Sequence, residues 1–78
     1  MQIRVGNLNI MTTARQLAEL FLPFGKVSSS KIVCSDPKGR SRGMGFIEMD
    51  RFCGKQAIGK LHQLKFMNSY IDVDEVLG

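Results

Sequence analysis

Polar and apolar residues alternate at the start of the chain, with Ile3 and Val5 on one side of an extended segment and Gln2 and Arg4 on the other. Gly6-Asn7 then signals a turn, which predicts a first strand over residues 2–5. The period changes next: Leu17, Leu20, Phe21 and Phe24 fall at i, i+3, i+4 and i+7, a stripe that one face of a helix would bury. Thr13 with Gln16 three residues on fits a capping box at the helix start, and Pro23 and Gly25 close it. Val27 to Cys34 reads as a second strand, serine-rich but carrying Val27, Ile32 and Val33, and is followed by the turn cluster Ser35-Asp36-Pro37-Lys38-Gly39.

Alternation returns in Arg42-Gly43-Met44-Gly45-Phe46-Ile47-Glu48-Met49, the stretch around which the chain is organised. Arg42, Met44, Phe46 and Glu48 share one face of this third strand, and Ile47 and Met49 the other. A glycine inside a strand marks a place where another backbone or a ligand comes close, and this strand has two. Asp50 can cap a second helix running to about His62, with Cys53, Ala57, Ile58, Leu61 and Leu64 as its inward stripe. Gly54 and Gly59 each cost that helix about 1 kcal/mol relative to alanine, so it relies on tertiary packing, and both are read as sites of close helix-to-sheet approach. Met67-Asn68-Ser69 turns the chain, and Tyr70 to Asp74 alternates once more, with Ile71 and Val73 inward and Tyr70, Asp72 and Asp74 outward.

The resulting order is β-α-β-β-α-β. Two such crossover units build an α+β, ferredoxin-like sandwich: a four-stranded antiparallel sheet with both helices on one face and the other face open. The first and third strands lie side by side in its centre, so their outward residues meet on the open face.

Seventy-eight residues suffice for a single domain, here residues 1–78. A chain of this size buries only about 60% of its unfolded surface, which leaves little room for an elaborate active site. The formal charge of +4 is a mild basic excess of the kind that meets phosphates or acidic surfaces. Five of the seven acidic residues, Glu48, Asp50, Asp72, Asp74 and Glu75, fall in the second half, and the first half is predominantly basic. No apolar run is long enough to span a bilayer and the N-terminus lacks a signal-peptide pattern, so a cytoplasmic protein without a membrane partner is expected. Cys34 and Cys53 are far apart, with no Cys-x-x-Cys and no histidine pair, which predicts reduced thiols and neither a metal site nor a redox dithiol.

Within this order, Ile3-Arg4-Val5-Gly6-Asn7-Leu8 resembles the shorter signature of the RNA recognition motif family, and Arg42 to Met49 resembles its octamer, which begins with Lys or Arg followed by Gly. Leu17 to Gly25 and Ala57-Ile58-x-x-Leu61 are similar to the helices of that family, so the resemblance covers almost the whole chain in order and at family spacing. The bare length resembles the stand-alone single-motif proteins of bacteria. The resemblance implies single-stranded RNA, or less readily single-stranded DNA, laid across the sheet with bases stacked on aromatics, in the service of post-transcriptional regulation. The family usually offers three aromatics, at the positions occupied here by Arg4, Met44 and Phe46, and only Phe46 is aromatic. Arg4 can substitute a planar guanidinium and Met44 a polarizable thioether, which implies weaker and more salt-dependent binding.

On this reading the RNA-contacting residues are Arg4, Asn7, Lys31, Lys38, Arg40, Arg42, Met44, Phe46, Tyr70 and Asp72, with no cofactor. Arg4, Lys31 and Arg42 point outward from the first three strands, and Lys38 and Arg40 sit in the adjoining loop, all suited to phosphate or base contacts. Asp72 and Asp74 would repel phosphates beside the fourth strand, although a carboxylate can accept from a cytosine or adenine amine.

No catalytic constellation is present. Gly54-Lys55-Gln56-Ala57-Ile58-Gly59-Lys60 spells the first seven places of a phosphate-binding loop but is followed by Leu61, where Ser or Thr must hold magnesium, and it lies inside a helical stripe. His62 has no paired carboxylate or cysteine, and Ser28-Ser29-Ser30 lacks a nucleophile context. The alternative function is a protein-interaction or weakly self-associating module on the same fold, using Met44, Phe46, Val33 and Tyr70 as an apolar patch.

Overall fold

The alternating β-branched residues of the first strand need a partner surface on one side only, and the chain supplies it with two amphipathic helices. The computed structural model describes residues 1–34 and 41–77 and, of Cys34, Ser41 and Arg42, the backbone only. Strands β1 (Gln2–Gly6), β2 (Val27–Cys34), β3 (Ser41–Met49) and β6 (Asp72–Glu75) form one antiparallel sheet in the order β2-β3-β1-β6, and β4 (Lys65–Phe66) and β5 (Ser69–Tyr70) form a separate two-stranded ribbon. Helices α1 (Ala14–Phe21) and α2 (Arg51–Leu61) cover one face of the sheet, and a short 3-10 turn over Leu22–Phe24 follows α1. The expected α+β ferredoxin-like architecture, with β1 and β3 central, is therefore present. Among the described residues no helix is long and apolar enough to cross a membrane.

The core is the inward set of each element. Ile3 and Val5 from β1, Ile47 and Met49 from β3 and Val73 from β6 pack with Leu17 and Phe21 of α1 and with Ala57 and Leu61 of α2, all essentially removed from water. Gly45 lets α1 sit this close: a Cβ there would stand 2.7 Å from both the Leu17 Cδ2 atom and the Lys31 carbonyl oxygen. Both helix starts follow their caps. The Thr13 hydroxyl accepts from the Gln16 N–H at 3.1 Å while the Gln16 side chain accepts from the Thr13 N–H, and Asp50 accepts from the Cys53 N–H at 3.1 Å.

The structure corrects three expectations. Helix α2 ends at Leu61, so Leu64 falls outside the inward stripe and is 41% exposed. Gly54 does pack closely, against the Met1 side chain and Ile3 Cδ1, but nothing lies within 4 Å of where a Gly59 Cβ would stand, so Gly59 is an exposed helix position. The last strand of the sheet begins at Asp72, because Tyr70 pairs with Lys65 in the ribbon, whose two-residue turn Met67-Asn68 has positive φ at both positions. His62, by contrast, stands at the end of α2 as a structural residue, its Nδ1 accepting from the Val73 N–H at 3.1 Å and so satisfying an edge donor of β6.

One irregularity in β2 matters for the open face. The pairing skips Ser28, leaving Val27 opposite Met49 and Ser29 opposite Glu48. This bulge lets Val27, Ser30 and Ile32 all face the helices while Ser29 and Lys31 face outward. Ser30 uses its inward position to donate from its hydroxyl to the Ala14 carbonyl at 2.7 Å, tying β2 to the start of α1.

Candidate nucleic-acid interface

Residues directly opposite one another in an antiparallel sheet share a face, so the register fixes what the bare side presents. Lys31 of β2 lies opposite Phe46 of β3, Phe46 opposite Arg4 of β1, and Arg4 opposite Asp74 of β6. These four form one row across the sheet: cation, aromatic ring, guanidinium, carboxylate. The next row toward the end of β3 is Ser29, Glu48 and Gln2. Met44 stands two positions before Phe46 on the same strand face and, like Phe46, is half-buried.

Arg4 does not wave freely in solvent. Its Nη1 lies 3.7 Å from Asp74 Oδ2, and its guanidinium lies over Gly6, with Nη2 only 3.6 Å from where a Cβ would stand there. Asp72, opposite Gly6, accepts a hydrogen bond from the Gln63 side chain at 2.6 Å. The guanidinium thus lies over Gly6 between the β6 aspartates, and the electronegative margin expected along the fourth strand is partly neutralised by Arg4.

The remaining site residues separate into three groups. Arg4, Lys31, Met44 and Phe46 are brought together on the open face, with Asp72 at its edge. Asn7 sits just past β1 at φ 57°, and its side-chain amide donates to the Tyr70 carbonyl at 2.8 Å, so it joins the end of β1 to the ribbon, while Tyr70 itself is 58% exposed in β5 rather than in the four-stranded sheet. Lys38 and Arg40 lie outside the described residues, and Arg42 is described by its β3 backbone alone.

Three residues that were not singled out for contact join the site. Gln2, Ser29 and Glu48, with Lys31, Phe46 and Ile47, line a shallow depression. The outward positions of Gln2 and Glu48 follow from period-two alternation. That of Ser29 follows only when counted back from Lys31, because the bulge at Ser28 breaks the parity with Val27.

Among the described residues, this helix-backed antiparallel sheet presents one aromatic ring between two cations on the face away from its helices. The family profile of the RNA recognition motif matches residues 3–72, and the chain belongs to that family. Among its relatives, RbpE of Nostoc sp. is 32% identical over 76 residues, covering 96% of this chain and 77% of RbpE. Glycine-rich RNA-binding protein RZ1B of Arabidopsis thaliana is 36% identical over 75 residues, 95% of this chain but 26% of RZ1B, so the chain spans about a quarter of that relative. The crystal structure of RNA Binding Protein PG1 superposes with a TM-score of 0.95 at 37% identity, covering 100% of this chain and 95% of that one.

Proposed function

We propose that this chain is a non-enzymatic module that binds single-stranded RNA across the open face of its sheet, in post-transcriptional regulation. The observation that carries the reading is the row Lys31, Phe46, Arg4, in which a stacking surface stands between two cations on adjacent strands. Family membership and relatives such as RZ1B, which is named for RNA binding, support the same conclusion. A base stacks on Phe46, Met44 extends the apolar surface beside it, and the neighbouring Lys31 meets phosphate. Arg42, with Lys38 and Arg40 in the loop before it, is assigned further phosphate contacts from the sequence.

Base stacking on an aromatic contributes about 1–3 kcal/mol by alanine substitution. With a single aromatic at the site, Phe46→Ala is expected to weaken binding of a mixed-sequence fluorescent RNA oligomer by roughly one to two decades in an anisotropy titration at low salt. Identical curves for wild type and Phe46→Ala would refute the reading. Docking of a protein on the same face is supported less: Met44, Phe46 and Val33 are half-buried, the row holding Phe46 carries Lys31 and Arg4 on either side of the ring, and Tyr70 stands in a different ribbon.

A further inference from the structure

A carboxylate on a surface that receives a polyanion costs affinity unless it finds a donor there. Glu48 is such a group. The carboxylates of β6 are all engaged: Asp72 by Gln63, Asp74 by Arg4, and Glu75 by Arg51 at 3.6 Å. Glu48 is exposed on the open face, opposite Gln2 on one side and Ser29 on the other, and among the described residues no ion pair or hydrogen bond occupies its side chain. It lines the depression beside Phe46 together with Gln2, Ser29 and Lys31. Residues two apart on one strand are about 7 Å apart, so the depression is within reach of the edge of a base lying on the Phe46 ring.

We infer that the depression is a base-edge pocket selecting guanine, an inference that rests on the single-stranded RNA reading above. An ionised carboxylate only accepts, and its two oxygens match two adjacent donors. Guanine is the one common base whose Watson–Crick edge offers such a pair, N1–H beside the 2-amino group, and its O6 acceptor then faces the donors of Lys31 or Gln2. Adenine and cytosine present one amine next to a bare ring nitrogen lone pair. Uracil presents a single N–H between two carbonyl oxygens, which the carboxylate repels.

The test uses four oligouridine RNAs with a central guanosine, inosine, adenosine or uridine, titrated against wild type and Glu48→Gln. Wild type is expected to favour guanosine over uridine by roughly tenfold. Inosine, which lacks only the 2-amino group, should fall between them. In Glu48→Gln the guanosine-to-inosine ratio should collapse toward one. Equal wild-type affinity for guanosine and inosine, or a ratio unchanged in Glu48→Gln, would overturn the pocket while leaving RNA binding in place. Failure of wild type to bind any of the four would overturn the proposed function and the pocket with it. The inosine comparison on wild type stands even if the variant is unstable.

Discussion

Arg4 and Asp74 are 3.7 Å apart with side chains 43% and 59% exposed, a geometry in which an ion pair contributes about 0–1 kcal/mol. The pair therefore does little for stability. Its consequence is positional, since it holds the guanidinium over Gly6 at the cost of neutralising the charge RNA would meet. Asp74→Asn should leave the urea midpoint nearly unchanged and raise RNA affinity severalfold at low salt, with the gain fading as salt screens the phosphates. Unchanged affinity would place Arg4 outside the contact surface. The outward direction of Arg4, Phe46 and Glu48 was legible from alternation alone. The partner of Arg4 was not, because β1 and β6 are far apart in sequence and their pairing depends on where β6 begins.

Among the elements, the helix starts were the most legible because capping is local chemistry. Thr13 and Gln16 close their box within four residues, and Asp50 stands immediately before α2. Asp50 also gives the fold a titratable dependence. The Cys53 N–H, donating to its carboxylate, holds Asp50 below the ordinary value of 3.8, with desolvation opposing and the Phe52 N–H assisting. A carboxyl lowered in the folded state stabilises fully above its unfolded pKa, and the contribution is lost as pH falls through the folded value. The melting temperature of wild type should therefore drop more steeply below about pH 4 than that of Asp50→Asn, which keeps a neutral cap. Parallel curves would show that the cap carries no charge-dependent stability. Elements set by longer-range geometry were less legible. Neither the bulge at Ser28 nor the β4–β5 ribbon has a strong local signal, since Ser28 lies in a serine run and Met67 is an unusual residue at φ 49°. Met67 is held there from outside, its carbonyl accepting from the Asn9 amide at 2.9 Å.

In the whole molecule, two helices occupy one side of the sheet and the described residues leave the other side uncovered across β2, β3 and β1. That asymmetry separates stability from recognition: Leu17, Phe21, Ala57 and Leu61 hold the fold from behind, and Lys31, Phe46, Arg4 and Glu48 stand free of that task in front. The central claim is that RNA meets the front. It is tested most directly by recording backbone amide chemical shifts of the labelled protein during titration with a single-stranded RNA. The account predicts that perturbations concentrate at Gln2, Arg4, Lys31, Met44, Phe46 and Glu48, with the outer surfaces of α1 and α2 quiet. Perturbations confined to the helical side, around exposed Leu22 and Phe52, would contradict it.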